Sequence, residues 1–206
     1  MVTKLALSQR EQLDRFEATL RGQGVSLGLV SASDVARLHD RHVLDSLRAA
    51  ECLRGDEGSV ADLGSGGGLP GIPAAIARPD LHFLLVESRR LRASFLERTV
   101  EELGLGNVKV APVRIESLRG RFGACLARAL APPMRAWEMA ASALGERGRL
   151  LYFAGSAWGA GAGASLREDG VECHVCSAAD FRGYGPIVMM QRVLTAAEKE
   201  HPHEPS

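Results

Sequence analysis

The sequence predicts an α/β protein: a seven-stranded, doubly wound sheet preceded by a helical extension. Three observations predict it. Short apolar runs alternate with amphipathic stretches from residue 58 onward, a glycine cluster follows the first of those runs, and the residues before it repeat at helical spacing. The 206 residues suffice for one substantial core, near the upper end for a single compact unit. The expected organisation is one domain over 1–206, with a helical extension at 1–57, a core at 58–194 and a polar tail at 195–206.

In "SQREQLDRFEATLRG", Ser8 and Glu11 fit a capping box, Leu13, Phe16 and Leu20 share one helical face, and Gly22 is the expected stop. Ser33 is the expected cap of a second helical region, in which Val35, Leu38, Val43, Leu44 and Leu47 recur through about Leu53 before "RGDEGS" breaks it. "SVADL" reads as a short strand, "GIPAAIA" as a helix stopped by Arg78 ahead of Pro79, and "LHFLLVES" as a buried strand, its apolar run being nearly continuous. Strand, helix, strand is a βαβ unit. "SRRLRASFLERTVEELGL" follows as a helix with Leu91, Phe95, Leu96, Val100 and Leu103 inward and Gly104 at its end. "NVKVAPVRI" and "GACLARAL" are strands. "APPMRAWEMAASAL" is a helix whose prolines sit in the first turn, where a missing N–H costs little. "GRLLYFAG" is a fifth strand, the glycine-rich "GSAWGAGAG" a loop and candidate lid, and "VECHVCSA" and "GPIVMMQRV" the last two strands.

Composition excludes several classes. Lysine plus arginine total 25 against 25 acidic residues, so no global field announces nucleic acid and any such contact needs a local patch. "SRRLR" at Ser88 to Arg92 fits either such a patch or a solvated helix start; the second is favoured, because cations sit poorly at a helix N-terminus. Four cysteines without a signal-like N-terminus do not make a disulfide framework, which points to the reducing cytoplasm. Cys173 and Cys176 form a CxxC, but strand alternation sends side chains three apart to opposite faces, so no metal site is expected there. No run approaches the roughly 18–20 apolar residues that a membrane helix needs.

"DLGSGGGLPGIP", Asp62 to Pro73, carries the chemistry. A triphosphate P-loop needs lysine and then serine or threonine after its last glycine, and Leu69 and Pro70 stand there instead. Gly66, Gly68 and Gly71 satisfy the dinucleotide GxGxxG, with Glu87 at about the expected 20 residues beyond. That fingerprint should begin at the strand end, however, whereas the register beginning there is Asp62, Gly64, Gly66, Gly68. An acidic strand tip followed by alternate glycines suits S-adenosylmethionine: a carboxylate near the amino-acid half, and a backbone that can approach a nucleoside closely. Glu87, ending the next strand, can accept both ribose hydroxyls.

At these residues the sequence resembles the bacterial small-subunit ribosomal RNA methyltransferase G family, also called glucose-inhibited division protein B. The likeness rests on "LPGIP" with its two prolines, "RHVLDSL" at Arg41 to Leu47 and "ARALAP" at Ala127 to Pro132, in the family's order. The resemblance implies a class I S-adenosylmethionine-dependent methyltransferase of Rossmann-like fold with an N-terminal helical extension. It implies a methyl group transferred to N7 of one guanine in the decoding-region hairpin of 16S rRNA, on the free RNA or the small ribosomal subunit, by a cytoplasmic monomer whose loss gives low-level streptomycin resistance. Carried over residue by residue, Gly64 and Leu69 contact the cofactor, Glu87 the ribose, Ile115 and Glu116 the adenine, and Arg128 lies by the cofactor and substrate pocket. Arg41, His42, Asp45 and Ser46 are the extension's share of the site, with His42 and Arg128 the expected catalytic pair. The sequence departs from the family at Ser26, where an asparagine is usual, at Ala154, where the fifth strand usually ends in lysine, and at Gln191–Arg192, where a basic pair is usual. Two other readings stay open: a methyltransferase of the same fold with another substrate, and a cofactor-binding ribosome-assembly factor without catalysis.

The chemistry fits the residues. Guanine N7 is an in-plane lone pair with no proton to remove, so alignment and electrostatics suffice and no general base is required. Arg128 can stack on the guanine or donate to its O6, or else pair as an ordinary strand-end arginine. His42 has the simpler reading of a half-buried helix histidine bonded to Asp45.

Overall fold

A computed structural model describes residues 5–155, 158–159, 161–177 and 184–193. Its sheet has seven strands in the order β3-β2-β1-β4-β5-β7-β6. These are β1 (Ser59–Leu63), β2 (His82–Val86), β3 (Val108–Ala111), β4 (Phe122–Arg128), β5 (Leu144–Phe153), β6 (Val171–Ser177) and β7 (Ile187–Arg192). The first five are parallel, and β7 runs antiparallel between β5 and β6. The helices are α1 (Leu7–Gln23), α2 (Leu44–Cys52), α3 (Gly71–Ala77), α4 (Arg90–Leu103), α5 (Pro133–Ala141) and α6 (Ala162–Glu168).

Strand alternation divides the core into two layers. Val60, Phe83, Leu85, Ala124 and Leu126 face the layer holding α1 to α4, whereas Ala61, Leu63, Val86, Cys125 and Ala127 face the layer holding α5 and α6. The extension belongs to the first of these layers: Leu13, Phe16 and Leu20 of α1 and Leu38, Val43 and Leu47 beyond it are all buried there. At about 1.5–3 kcal/mol for each large apolar side chain removed from water, that face gives the extension a hydrophobic anchor of its own.

Local details depart from the expected caps. Helix α1 is capped two residues earlier than Ser8: the Ala6 N–H donates to Gln9 Oε1 at 2.8 Å, so Gln9, not Glu11, closes the turn. It stops at Gly24, not Gly22. A Cβ on Gly22 would touch nothing within 4 Å, whereas one on Gly24 would lie 2.3 Å from the Leu20 carbonyl. Nor does Ser33 cap one continuous helix. A 3-10 turn at Val35–Arg37 runs into a π-helix at Leu38–Val43 before α2 begins, and the Ser31 hydroxyl, not that of Ser33, bonds to Asp34. Helix α6 occupies a stretch in which no element was expected, and residues 194–206, which include the tail, lie outside the described residues, as does part of the candidate lid.

Two ties hold the end of the extension to the sheet. Glu57 and Arg149 form a buried ion pair, each side chain 5% exposed. Arg149 Nε donates to Glu57 Oε1 at 3.0 Å, and its Nη2 to the Cys52 carbonyl at 3.3 Å. Cys52, ending α2, is disulfide-bonded to Cys176 of β6, their Cα atoms 5.8 Å apart, so the expectation that the four cysteines make no disulfide framework is corrected by one bridge. Cys173 stays free because alternation turns it to the other face of β6, where it packs with the second layer.

Removing one partner of the buried pair leaves the other charged without a counter-ion. Glu57→Gln is therefore expected to lower unfolding stability by about 3 kcal/mol, read as a fall in the urea midpoint, with most of the loss recovered in Glu57→Gln/Arg149→Met.

Candidate active site

The glycine loop is shaped by the strand it leaves. Gly64, Gly66 and Gly68 have φ of +72°, +56° and +84°. Such values suit glycine. The N–H groups of Gly64 and Ser65 both donate to the Val86 carbonyl, at 2.9 and 3.0 Å, folding the chain back over the tip of β2. A Cβ on Gly68 would come within 2.5 Å of Ile72, but one on Gly66 would meet only a backbone oxygen 3.8 Å away, so Gly66 borders open space. Glu87 holds this turn from the neighbouring strand: Oε2 accepts from Gly66 N–H at 3.1 Å and Oε1 from Arg89 N–H at 2.8 Å. Each oxygen keeps a second acceptor site.

Asp62 shares Val60's face of β1 and so points under the loop, where it is buried. Its Oδ2 accepts from Gly71 N–H, the first residue of α3, at 3.1 Å. Burial raises its pKa from 3.8 to about 6, while the Ser65 hydroxyl, the Gly71 N–H and the Arg128 charge hold it back. In this geometry Asp62 positions the loop and the start of α3. Gly71 has to be glycine, since a Cβ there would lie 2.5 Å from both Asp62 Oδ2 and Leu85.

Arg128, at the tip of β4, has the parity of Ala124 and Leu126 and so faces the extension. Its Nη2 donates to His42 Nδ1 at 2.7 Å and its Nη1 to Ser46 Oγ at 3.2 Å, with Asp45 Oδ2 3.7 Å away. The Ser46 hydroxyl donates onward to the His42 carbonyl at 2.6 Å, and the Phe153 ring lies 5.9 Å from the guanidinium carbon. Ala129, the next residue, has φ +52°, a backbone strain of the kind that collects at functional sites.

His42 accepts through Nδ1 and therefore carries its proton on Nε2, which is buried without a hydrogen-bond partner, the Asp34 carboxylate standing 3.9 Å off. Burial and then the Arg128 charge lower its pKa, Asp34 and Asp45 opposing, so the ring is neutral at pH 7. The expected bond from His42 to Asp45 is replaced by this one to Arg128. Asp45 instead bonds Arg48 at 2.7 Å, and Arg48 reaches the Ser177 hydroxyl and the Gly185 carbonyl of the β6–β7 region. The π-helix puts Arg41 and His42 in one wide turn, and its signal in the sequence is the five-residue gap between Leu38 and Val43.

Of the other expected site residues, Ile115 is buried and Glu116 exposed in a 3-10 turn beyond β3, Leu69 is half-buried in the loop, and Arg41 is exposed with Asp34 3.9 Å away. All follow strands that end at the same sheet edge or belong to the extension beside it. Phe153 and Tyr184, whose hydroxyl bonds the Asp40 carbonyl, join the site without having been expected.

The sheet order, the glycine loop at the tip of β1 and the acidic residue at the tip of β2 define a class I methyltransferase fold. Solved structures share it: the ribosomal protein L11 methylase of Lactobacillus delbrueckii subsp. bulgaricus superposes with TM-score 0.57 at 16% identity, over 74% of this chain and 78% of that one. The O-methyltransferase NcsB1 of neocarzinostatin biosynthesis, solved with S-adenosylmethionine, does so with TM-score 0.53 at 24% identity, over 70% and 51%. The chain belongs to the rRNA small subunit methyltransferase G (GidB) family, whose match runs over residues 9–172. The ribosomal RNA small subunit methyltransferase G of Nocardioides sp. (strain JS614) is 45% identical over 146 residues, 70% of this chain and 58% of that protein. The protein of the same name from Kineococcus radiotolerans is 42% identical over 163 residues, 76% and 63%. The chain thus spans about three-fifths of the length of these curated relatives.

Because its pKa is raised, Asp62 makes stability depend on pH. Folding favours its protonated form, so its contribution is fully present below pH 3.8 and lost as pH rises through about 6. The difference between those two values corresponds to about 3 kcal/mol. Asp62→Asn, which keeps an acceptor for Gly71, is expected to flatten this part of the stability profile between about pH 4 and 6, as read by chemical denaturation at a series of pH values.

Proposed function

We propose that this protein transfers a methyl group from S-adenosylmethionine to N7 of a guanine in the decoding-region hairpin of 16S rRNA. The observation that carries the proposal is the loop of three positive-φ glycines closed by Glu87, in a chain of this family. The residues fit the cofactor: the open side of Gly66 admits a ligand against bare backbone, and the spare lone pairs of Glu87 suit a ribose diol. Gly64, Gly66, Gly68, Leu69, Glu87, Ile115 and Glu116 would line its site, with Asp62 holding the loop from beneath. S-adenosylmethionine supplies the activated methyl group.

The chain's own residues then have to orient the base and exclude water, because N7 needs no proton removed. Arg128, His42, Asp45 and Ser46 form a bonded cluster joining the β4 tip to the extension, and Arg41 stands exposed beside it. In this reading Arg128 and His42 position the extension over the cleft, and the neutral His42 leaves the Arg128 charge undiluted by a second cation. The substrate is the rRNA free or within the small subunit, the compartment is the cytoplasm, and the protein acts as a monomer with residues 1–57 serving as the extension of one domain. Among the described residues no helix is long and apolar enough to cross a membrane.

Purified protein is expected to incorporate labelled methyl groups into 30S subunits lacking this modification, with the product mapped by mass spectrometry to a guanine N7; absence of incorporation into both 30S and 16S rRNA would overturn the proposal. Gly66→Ala places a methyl group in the open space and strains φ at a cost of about 1–2 kcal/mol. Calorimetry is expected to show S-adenosylmethionine binding at least about tenfold weaker, with the protein still folded.

A further inference from the structure

We infer that Arg89, Arg90 and Arg114 form a phosphate-binding rim on the β2–β3 side of the cleft, through which the protein grips the RNA backbone; the inference rests on the rRNA reading above. Strands β2 and β3 are parallel neighbours with Val86 opposite Ala111, and the Glu87 N–H donates to the Ala111 carbonyl at 3.1 Å. The segments after them therefore leave the same sheet edge side by side, next to the glycine loop. Arg89 and Arg90 follow β2, and Arg114 follows β3. All three are exposed, and none pairs with a carboxylate among the described residues.

The neighbouring groups sharpen the contrast. Glu87 is buried and turned to the glycine loop, which leaves Glu116 as the nearby exposed acid along this stretch. Arg92, from the same run, is held by the Gly28 carbonyl at 2.7 Å and clasps the extension to α4, so the run divides into one structural arginine and two outward ones. Across the cleft, Arg37 and Arg41 both lie within 4 Å of Asp34, at 3.8 and 3.9 Å, which offsets their charge. Leu91, between Arg90 and Arg92, is 76% exposed. Two cations and an exposed leucine in the first turn of α4 bring that helix no stability, since its positive end repels them. A polyanion with apolar base faces accounts for both: the guanidinium fork matches phosphate oxygens, and Leu91 offers an apolar surface to a base. In a chain with no net charge, this rim is the local patch that nucleic-acid binding requires.

The test is fluorescence anisotropy of a labelled 16S decoding-region hairpin with the full-length protein, its R89E/R90E variant, and R54E/R121E, which reverses two exposed charges at the opposite edge of the sheet. At about 0.1 M salt the rim variant is expected to bind at least about tenfold more weakly, with a log–log salt slope shallower by about one to two, whereas R54E/R121E stays within about twofold of the parent. R89E/R90E is expected to melt no lower than the parent, since acidic side chains suit the start of α4, and to bind S-adenosylmethionine as the parent does. Equal RNA binding by parent and R89E/R90E, an equal loss in the control, or no RNA binding by the parent overturns the inference. Methyl transfer to 30S separates it from the reading beneath: turnover with rim-independent binding overturns the rim alone, whereas rim-dependent binding without turnover overturns methylation alone.

Discussion

Alternation along β1 and β4 sends Asp62 and Arg128 to the same face of the sheet, the face on which α3 and the helical extension pack. Val60 and Asp62 have one parity on β1, and Ala124, Leu126 and Arg128 share it on β4. Asp62 thereby meets the first N–H of α3 and sets where the glycine loop ends, while Arg128 meets His42, Ser46 and Asp45 and sets where the extension lies. Burial raises the pKa of Asp62 and lowers that of Arg128, and the two charges act on each other against both shifts. A slip of one residue in either strand would turn that strand's charged group into the wrong layer.

The extension is fastened at both ends of the sheet, and by different physics. Near the cleft its tie is polar: an arginine, a neutral histidine, a serine and an aspartate whose bonds are mutually consistent. At the far end a buried ion pair holds the turn after α2, and a disulfide to β6 holds the last residue of α2 itself. Between them the burial of Phe16, Leu20, Leu38 and Leu47 supplies the favourable free energy, because buried charges by themselves return little beyond their desolvation cost.

Much of the fold was legible in the residues. All seven strands were marked by apolar runs bounded by glycine, proline or charge, and α4 ended where Gly104 marked it, at φ +65°. The caps of α1 were not legible, because Ser8 fits a capping box on paper while the backbone of Ala6 and the side chain of Gln9 make the turn. The π-helix was hidden by reading a five-residue gap as imperfect helical spacing. Helix α6 was missed because glycine and alanine weaken its pattern.

At the site, the sequence by itself determined which residue types stand where the strands end: alternate glycines after β1, Glu87 after β2 and Arg128 at the tip of β4. Strand periodicity and the glycine register are local properties, readable without a partner. Only the tertiary structure decided what those side chains meet. Asp62 lies beneath the loop, Arg128 bonds the extension, and Cys176 pairs with Cys52 across 124 positions of sequence. Those outcomes depend on how the helical layer seats on the sheet, and that is set by the burial of side chains from distant segments, which no local pattern encodes.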